Sequence, residues 1–354
     1  MVVRTMSTPT SSALATTPWL DPARAPAWQA EARAWAAAAA GAELLAFEVV
    51  KARPWSFVAR VDLQAGRAWF KACGPAARHE ATLLRFLEAR TDCSPRLLAQ
   101  EPRRRWMLVA DHGGSLRELA AADDRFAAWR SLLPRYAHLQ IACLGDVDAL
   151  LAAGLPDRRL ACLPALLADL LAQLPGLALA HDAGATQALQ ARAAPLLDEL
   201  ERHALRLACT PWAASLDHGD LHANNVMLQG GDARLVDWGD ACVTHPFCTL
   251  AVTLPAVLAS WPAAERARIA HALREAYLAP WQAWSTPRAL QRDFHTALWV
   301  GRAVRILDFA RMFESADEAS RERWLPLLPR AVADWVDCHA LVAAHDERLL
   351  VASA

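Results

Sequence analysis

The stretch at residues 215–241, SLDHGDLHANNVMLQGGDARLVDWGDA, decides the fold of this chain of 354 residues. It sets five aspartates, two histidines and two adjacent asparagines around two short apolar runs, residues 226–228 and 234–236. The intervening QGGDA predicts a β-hairpin with a Gly-Gly turn. So many small polar groups at a hairpin either solvate a loop, since Asp and Asn are turn formers, or face a charged ligand.

Three side chains are predicted to meet at one end of this hairpin. Asn225 enters the first strand and Asp237 leaves the second, and antiparallel pairing puts these two positions at the same end. An amide oxygen and a carboxylate suit a hard cation such as Mg²⁺. Asp220 lies in the tight loop before them, where Gly219 permits an unusual backbone angle. A carboxylate placed there can take a proton from a hydroxyl that attacks a metal-bound phosphate.

The motifs HGDLHANNV and LVDWGD resemble the catalytic and metal motifs of the aminoglycoside phosphotransferase family. Choline, homoserine and fructosamine kinases have related patterns, and the family shares the protein-kinase-like fold. The resemblance implies that Asp220 is the catalytic base, that Asn225 and Asp237 bind Mg²⁺, and that His218 buttresses the loop. It further implies that ATP donates a phosphate to a hydroxyl of a small-molecule acceptor.

The rest of the chain agrees with an α+β, bilobal protein-kinase-like fold. Strand-like runs at residues 46–52, 56–63, 68–74 and 106–111, with helices at 26–40 and 76–89, predict a small antiparallel β-sheet lobe with one internal helix. Helical periodicity dominates beyond Gly113 and Gly114 and predicts a large, mainly helical lobe. We therefore expect a disordered lead at 1–18, a nucleotide-binding N-lobe at 19–111, and a C-lobe at 112–354 with the catalytic loop and acceptor site.

A buried ion pair is predicted in the N-lobe. Lys71 ends an apolar strand, and Glu80 lies on the next helix with leucines at i+3, i+4 and i+7, so Glu80 is on or beside the apolar face. A carboxylate that points inward needs a cation, and Lys71 is the obvious one. By the resemblance, Lys71 would hold the α- and β-phosphates of ATP. The alternatives are a surface lysine and a Glu80 that is exposed or paired with Arg85.

The other ATP contacts rest on weaker signals. The chain has no G-x-G-x-x-G and no G-x-x-x-x-G-K-[ST], so neither a dinucleotide-binding motif nor a P-loop is supported. The turn ARPWS at residues 52–56 would lie over the phosphates, and Ser56 could contact one of them or simply form the turn. Backbone groups from Val109 to Asp111 could hydrogen-bond an adenine edge, unless this is an ordinary strand end.

One departure from the family pattern supports a second hypothesis. The family often has an aspartate before Leu-Ala, where it braces the catalytic loop, but this chain has Thr249. A threonine can hydrogen-bond without a charge, and Asp240 or Asp217 could share the bracing role. The alternative is thus a nucleotide-binding pseudoenzyme of the same fold with little turnover.

A third hypothesis is a transition-metal hydrolase. His218, Asp220 and His222 form an H-x-D-x-H pattern that can ligate such a metal. This hypothesis leaves Asn225 and Asp237 without a role, and it does not account for the lysine–glutamate pair.

The amino-acid composition restricts the classes of molecule that this chain is expected to bind. A net charge of −1 favours neither a nucleic-acid nor a membrane partner. The eight scattered cysteines predict free thiols, and we expect a cytoplasmic protein because no export signal is evident. The basic residues beyond Glu265 do not fall short of the acidic ones, so an aminoglycoside acceptor is not indicated. The helix HTALWVGRAVRILDFARMFES at 295–315 either lines the cleft, for a partly apolar or anionic acceptor, or is a core helix. Oligomeric state is not predicted.

Overall fold

The structure is a computed structural model, and it describes residues 17–119, 121–177, 183–312, 323, 326–344 and 346–351. The lead expected at residues 1–18 lies outside these ranges except for its last two residues. Thr17, the first described residue, is buried, and its carbonyl accepts a hydrogen bond from the backbone N–H of Leu20 at 2.9 Å. Two separate hydrophobic clusters organise the described residues.

An antiparallel sheet of five strands forms the first part of the chain, in the order β1–β2–β3–β5–β4. The strands are β1 (Leu44–Arg53), β2 (Ser56–Leu63), β3 (Gly66–Cys73), β4 (Leu97–Glu101) and β5 (Trp106–Ala110). Phe57, Phe70 and Trp106 are almost fully buried on one face of the sheet, where they pack with helix α1 (Ala25–Ala40) in the smaller cluster. Because side chains alternate along a strand, Lys71 points to the opposite face.

Helix α2 (Glu80–Leu87) follows β3 and packs with the larger hydrophobic cluster. The helix predicted at residues 76–89 is therefore too long, because a separate 3-10 turn at Pro75–Ala77 precedes α2. The carbonyl of Ala76 accepts a hydrogen bond from Nη1 of Arg311 at 3.0 Å. Such a contact between distant parts of the chain leaves no trace in local periodicity.

The remaining described elements are mainly helical. The helices are α3 (Ala122–Ala142), α4 (Val147–Ala152), α5 (Leu163–Leu177), α6 (Ala183–Ala193), α7 (Leu196–Ala208), α8 (Leu250–Leu258), α9 (Ala263–Leu278), α10 (Pro287–Met312) and α11 (Leu327–Ala343). Two small antiparallel sheets lie among them: β6 (Gly114–Ser115) with β8 (Val226–Gln229) and β9 (Asp232–Leu235), and β7 (Ser215–Asp217) with β10 (Cys242–Thr244).

The hairpin predicted in the opening stretch is confirmed as β8 and β9. Its turn consists of Gly230 and Gly231, whose φ angles of 59° and 90° lie in the left-handed region that glycine adopts readily. The backbone N–H of Val236 donates to the carbonyl of Asn225 at 2.9 Å, which extends the pairing by one step. The two functional ends of the hairpin therefore lie side by side.

The predicted α+β class is confirmed. Helix α10 runs through the middle of the helical part, where it contacts α5, α7, α8 and α11 and buries most of its residues. No described helix is both long enough and apolar enough to cross a membrane. The cleft between the five-stranded sheet and α10 contains the residues that the sequence motifs single out.

Candidate active site

The ion pair predicted between Lys71 and Glu80 is present. Nζ of Lys71 lies 2.6 Å from Oε2 and 2.8 Å from Oε1 of Glu80, and both side chains are buried. Nζ also lies 2.6 Å from Oδ1 of Asp237, so one ammonium bridges the sheet, helix α2 and the end of the hairpin. Burial lowers the pKa of Lys71, but the two carboxylates outweigh burial and hold that pKa well above its usual value. Lys71 is therefore a permanent cation in the cleft.

Glu80 connects α2 to the segment that follows the hairpin. Its Oε1 accepts a hydrogen bond from the backbone N–H of Trp238 at 3.1 Å, and its Oε2 lies 3.4 Å from Sγ of Cys73. Burial raises the pKa of Glu80, and the neighbouring Lys71 opposes that rise. With two donors and one cation around it, the buried carboxylate has no unmet hydrogen-bonding need.

The loop between β7 and β8 aims Asp220 into the cleft. Gly219 has φ +76°, and a Cβ at this position would lie 2.2 Å from the carbonyl oxygen of Asp240, so only glycine fits. Nη2 of Arg305, on α10, donates to Oδ1 of Asp220 at 2.8 Å, while Nε2 of His222 lies 3.2 Å from Oδ2. Burial would raise the pKa of Asp220, but Arg305 and His222 hold it well below its usual range.

Asn225 and Asp237 offer oxygens that fit a divalent cation. Nδ2 of Asn225 donates to the backbone carbonyl of Asp220 at 2.9 Å, so the amide oxygen is the atom that Asn225 can offer to a ligand. Asp237 has φ 64°, an uncommon angle for an L-residue that Asp tolerates and that often marks functional sites. One amide oxygen and one carboxylate are the hard donors that Mg²⁺ prefers.

A carboxylate next to the loop supports it from below. Oδ1 of Asp217, in β7, accepts a hydrogen bond from the backbone N–H of Gly219 at 3.2 Å, and the hydroxyl of Thr249 also hydrogen-bonds Asp217. The hydroxyl of Tyr136 accepts from the backbone N–H of His218 at 2.9 Å and lies 3.5 Å from Oδ1 of Asp217. Burial raises the pKa of Asp217 to about 6, although Gly219 and Thr249 oppose the rise. A carboxylate at position 217 thus contacts both the loop and the residue at position 249.

His218 lies beneath the loop and does not face the cleft. Its Nε2 is 3.1 Å from the carbonyl of Val236, its Nδ1 accepts from the backbone N–H of Asp220 at 3.4 Å, and its ring contacts Trp238. Burial lowers the pKa of His218 to about 4, so the ring is neutral at pH 7. Because both ring nitrogens already have backbone partners, the H-x-D-x-H pattern is unsuited to a transition metal. No cluster of three or more His, Cys, Asp or Glu side chains in the described ranges could hold a metal ion.

The turn between β1 and β2 covers the cleft, and it is held in place. It is a two-residue turn between Arg53 and Ser56, and the backbone N–H of Gly74 donates to the carbonyl of Trp55 at 2.7 Å. A Cβ on Gly74 would lie 2.9 Å from that same oxygen, so glycine is required for the close approach. Ser56 is buried and lines a cavity of about 310 Å³ that also reaches Lys71.

The strand end predicted to meet an adenine edge is partly occupied. Val109 is paired inside the sheet with Trp69 and Leu97 on its two sides. Asp111 is the first residue beyond β5, and its Oδ1 accepts a hydrogen bond from Nε1 of Trp69 at 2.8 Å. The side chain of Asp111 is therefore engaged, and the backbone contact to adenine stays a prediction.

Three cleft residues were not assigned to the site from the sequence, and Asp240 was considered only as a brace for the loop. Lys51 lies 3.9 Å from Asp237 through its Nζ and that residue's Oδ2, and it lines the same cavity as Lys71. On the other wall, Arg305 contacts Asp220, and Arg311 donates from Nη2 to the carbonyl of Gly239 at 3.0 Å. Asp240 lies between the two arginines, 3.5 Å and 3.4 Å from them. Lys51 carried a signal because lysine is so rare in this chain, and Arg305 and Arg311 lie on the helix at 295–315 that the sequence allowed to line the cleft.

Comparisons with known proteins agree with this architecture. The profile of the phosphotransferase enzyme family (APH) matches residues 10–290. A search of curated proteins finds no significant match. Among solved structures, the chain is similar to a choline kinase from Cryptosporidium parvum Iowa II, with a TM-score of 0.58 and 12% identity over 85% of this chain and 91% of that one.

Two further solved structures have a similar fold. One is a Plasmodium vivax ethanolamine kinase, with a TM-score of 0.57 and 12% identity over 81% of this chain and 82% of that one. The other is an amicoumacin kinase in complex with AMP-PNP, Ca²⁺ and Ami, with a TM-score of 0.54 and 13% identity over 88% of this chain and 96% of that one. Identities this low show the shared fold alone, and the predicted kinase-like fold is confirmed.

Proposed function

Because this chain belongs to the phosphotransferase enzyme family, we propose that it transfers the γ-phosphate of ATP to a hydroxyl group of a small molecule. One observation carries the proposal: Lys71, paired with Glu80, reaches Asp237 at 2.6 Å inside a cavity that Asp220 also lines. A permanent cation and two carboxylates around one cavity suit a phosphate chain with its metal ion on one side and an attacking hydroxyl on the other.

The nucleotide side of the site would use the N-lobe, residues 19–111. Lys71 would hold the α- and β-phosphates, Glu80 would orient Lys71, and Ser56 would contact a phosphate from the turn above. Asn225 and Asp237 would hold Mg²⁺, which when bound neutralises the charge that develops on the phosphates. Backbone groups near Val109 and Asp111 would meet the base.

The acceptor side would use the C-lobe, residues 112–354. Asp220 would orient the acceptor hydroxyl and accept its proton as the new P–O bond forms. Its pKa is held low by Arg305, so Asp220 is ionised throughout the neutral range but is a weak base. Its main contribution is therefore orientation, and the proton moves late, when the oxygen has become acidic through its bond to phosphorus.

Several observations support the finer parts of the proposal. A similar solved structure holds AMP-PNP, an ATP analogue, with Ca²⁺, which favours ATP and a divalent ion here. The names of the similar choline and ethanolamine kinases favour a small acceptor with a hydroxyl group. All eight cysteines are free thiols, which suits a protein of the reducing cytoplasm.

The pseudoenzyme alternative rests on Thr249 alone. Since Asp217 lies next to Thr249 and already accepts a hydrogen bond from the loop, the missing charge is supplied from another position. We therefore favour an active enzyme over a nucleotide binder.

ADP release in the presence of ATP and Mg²⁺, across a panel of hydroxyl-bearing metabolites and antibiotics, tests the proposal. We expect at least one acceptor to raise ADP release, and Asp220→Asn to lower that rate by about 100-fold or more with nucleotide affinity retained. Nucleotide binding without turnover for any acceptor would favour the pseudoenzyme. Full activity of Asp220→Asn would refute the assigned base.

A further inference from the structure

We propose that Lys51 is a second phosphate-binding lysine, which contacts the terminal phosphate of the bound nucleotide. The inference rests on the proposed function and adds a residue outside the motifs HGDLHANNV and LVDWGD. Its starting point is the position of the ammonium group at the mouth of the cleft. Nζ of Lys51 lies 3.9 Å from Oδ2 of Asp237, and its side chain is 45% exposed.

Lysine is almost absent from this chain, and the two that exist converge. Of the 37 basic residues other than histidine, only Lys51 and Lys71 are lysines. They lie on different strands, yet both ammonium groups approach the carboxylate of Asp237, at 3.9 Å and 2.6 Å. A lysine ammonium is a compact point charge, whereas an arginine guanidinium is a wide planar fork. Two ammonium groups therefore fit beside one phosphate chain, whereas two guanidinium groups would clash.

The register of β1 turns Lys51 into the cleft. Residues from Ala46 to Val49 pair with β2 in one register, but Lys51 pairs with Val58 after a shift of one residue. Without that bulge Lys51 would stand opposite Phe57, whose side chain lies in the core beneath α1. A shift of one residue moves every later side chain to the other face of a strand, and bulges next to active sites often re-aim a side chain in this way. Val50, the extra residue, is 55% exposed.

The tight turn beyond Lys51 makes a side-chain cation useful. Only Pro54 and Trp55 separate the two strands, and this turn is fastened to Gly74, so it cannot wrap its backbone around a phosphate as a longer glycine-rich loop does. The cleft beneath the turn therefore depends on side chains for positive charge. Lys71 supplies it at the buried end, and Lys51 supplies it at the exposed end.

The positions of the two lysines along the cleft indicate which phosphate each of them contacts. Lys71 is 9% exposed by its side chain and lies deep in the cleft, whereas Lys51 stands nearer to solvent, and both line the cavity that leads to Asp220. A nucleotide that runs from the sheet toward Asp220 would meet Lys71 first and Lys51 last. When Asp237 turns its oxygens to a metal ion, the ammonium of Lys51 is free to bind the terminal phosphate.

Binding of AMP-PNP and of ADP, each with Mg²⁺ and measured by calorimetry, tests the inference without any acceptor. We expect Lys51→Met to weaken AMP-PNP by about 10-fold and ADP by less than about 2-fold, since one charge-assisted contact is lost only from the triphosphate. Lys71→Met should weaken both ligands. The matched control exchanges two neighbours, Val50→Lys with Lys51→Val, which keeps the composition and net charge but moves the ammonium out of the cleft.

The exchange variant should behave like Lys51→Met. Wild-type affinity in either of these variants, or an equal loss for AMP-PNP and ADP, would overturn the assignment to the terminal phosphate. A wild-type protein that binds neither nucleotide would instead refute the proposed function. Thermal unfolding of each variant confirms folding, which we expect to be retained because Lys51 is half-exposed.

Discussion

At the scale of single residues, the site depends on two unusual backbone angles, of which the sequence predicts one and not the other. Gly219 has φ +76°, and the sequence predicts a glycine-dependent turn there because a glycine stands before the aspartate. Asp237 has φ 64°, and no sequence signal marks it, because Asp fits many turns without strain. Both angles serve the same end, since each sets the direction of a carboxylate at the cavity.

Arg305 is the residue-scale feature whose loss we expect to matter most after Asp220. It holds Oδ1 of Asp220 at 2.8 Å and the carbonyl of Gly219 at 3.0 Å, so it fixes both the carboxylate and its loop. Arg305→Met should lower kcat by about 10- to 100-fold and change the KM for ATP little, because the reacting hydroxyl loses its orientation. Steady-state kinetics with the best acceptor measure both constants.

A matched control comes from the same helix. Arg292 lies on α10 with its side chain 56% exposed, paired with Asp293, and Arg292→Met should keep the wild-type kcat. A fall in ATP affinity with unchanged kcat in Arg305→Met would contradict the orienting role. The sequence predicted only that the helix at 295–315 could line the cleft, because no pattern distinguishes Arg305 from the many other arginines.

At the scale of elements, we expect strand β7 to support the loop that carries Asp220. Asp217, in β7, accepts a hydrogen bond from the backbone N–H of Gly219 and is hydrogen-bonded by the hydroxyl of Thr249, the residue before α8. Asp217→Leu should therefore lower kcat by about 10-fold or more, and Asp217→Leu with Thr249→Asp should regain most of the loss. Kinetics and thermal unfolding of the three proteins provide the measurement.

The same pair contains its own check. Thr249→Asp alone puts two carboxylates side by side in a buried place, so it should lower the melting temperature of the protein. If the double variant is as slow as Asp217→Leu, the carboxylate does not act through the loop, and Asp217 is needed for packing at its own position only.

Element prediction succeeded where a residue pattern extends over a whole strand or helix. The hairpin of β8 and β9, the strands β2, β3 and β5 and the helix α1 all follow such patterns. The pair β7 and β10 was missed because strands of three residues are too short to show alternation. Strand β4, LLAQE, was missed because its apolar residues do not alternate with polar ones. It lies at the edge of the sheet and is only partly buried.

At the scale of the whole molecule, the two halves meet through contacts that no local pattern reveals. Arg311 of α10 donates to the carbonyl of Ala76 before α2 and to that of Gly239 after the hairpin, each at 3.0 Å. The motifs predicted the fold because they resemble those of a family whose members have the same fold. The contacts between the two halves depend on side chains that are far apart in the sequence, so the motifs could not predict them. The existence of the cleft was therefore predictable from the sequence, but only some of the residues that line it were.

Asp308 gives the molecule a pH-dependent stability. It is 1% exposed, neither oxygen has a hydrogen-bond partner in the described part of the chain, and burial raises its pKa to about 7. An aspartate in the unfolded chain has a pKa of about 3.9, so between these values the folded state binds more protons. The free energy of unfolding that Asp308 contributes therefore falls as pH rises from about 4 to 7.

Asp308→Asn removes this titration. We expect the gain in the free energy of unfolding over wild type to be larger at pH 8 than at pH 4.5, by roughly 1–3 kcal/mol. Urea unfolding of both proteins at the two pH values measures the difference, and other titrating groups cancel because both proteins have them. The same difference at both pH values would mean that Asp308 is already neutral, or already compensated, in the folded protein.

The hydrogen bond from the backbone of Trp238 to Glu80 has a consequence for regulation. In protein kinases the corresponding lysine–glutamate pair must be brought into place, and phosphorylation of an activation loop controls that step. Here Glu80 of helix α2 is hydrogen-bonded to the segment after the hairpin without any substrate, so the lysine–glutamate pair is already formed. We expect turnover to begin without a lag and without prior phosphorylation of this chain. Its rate should then depend on the supply of donor and acceptor.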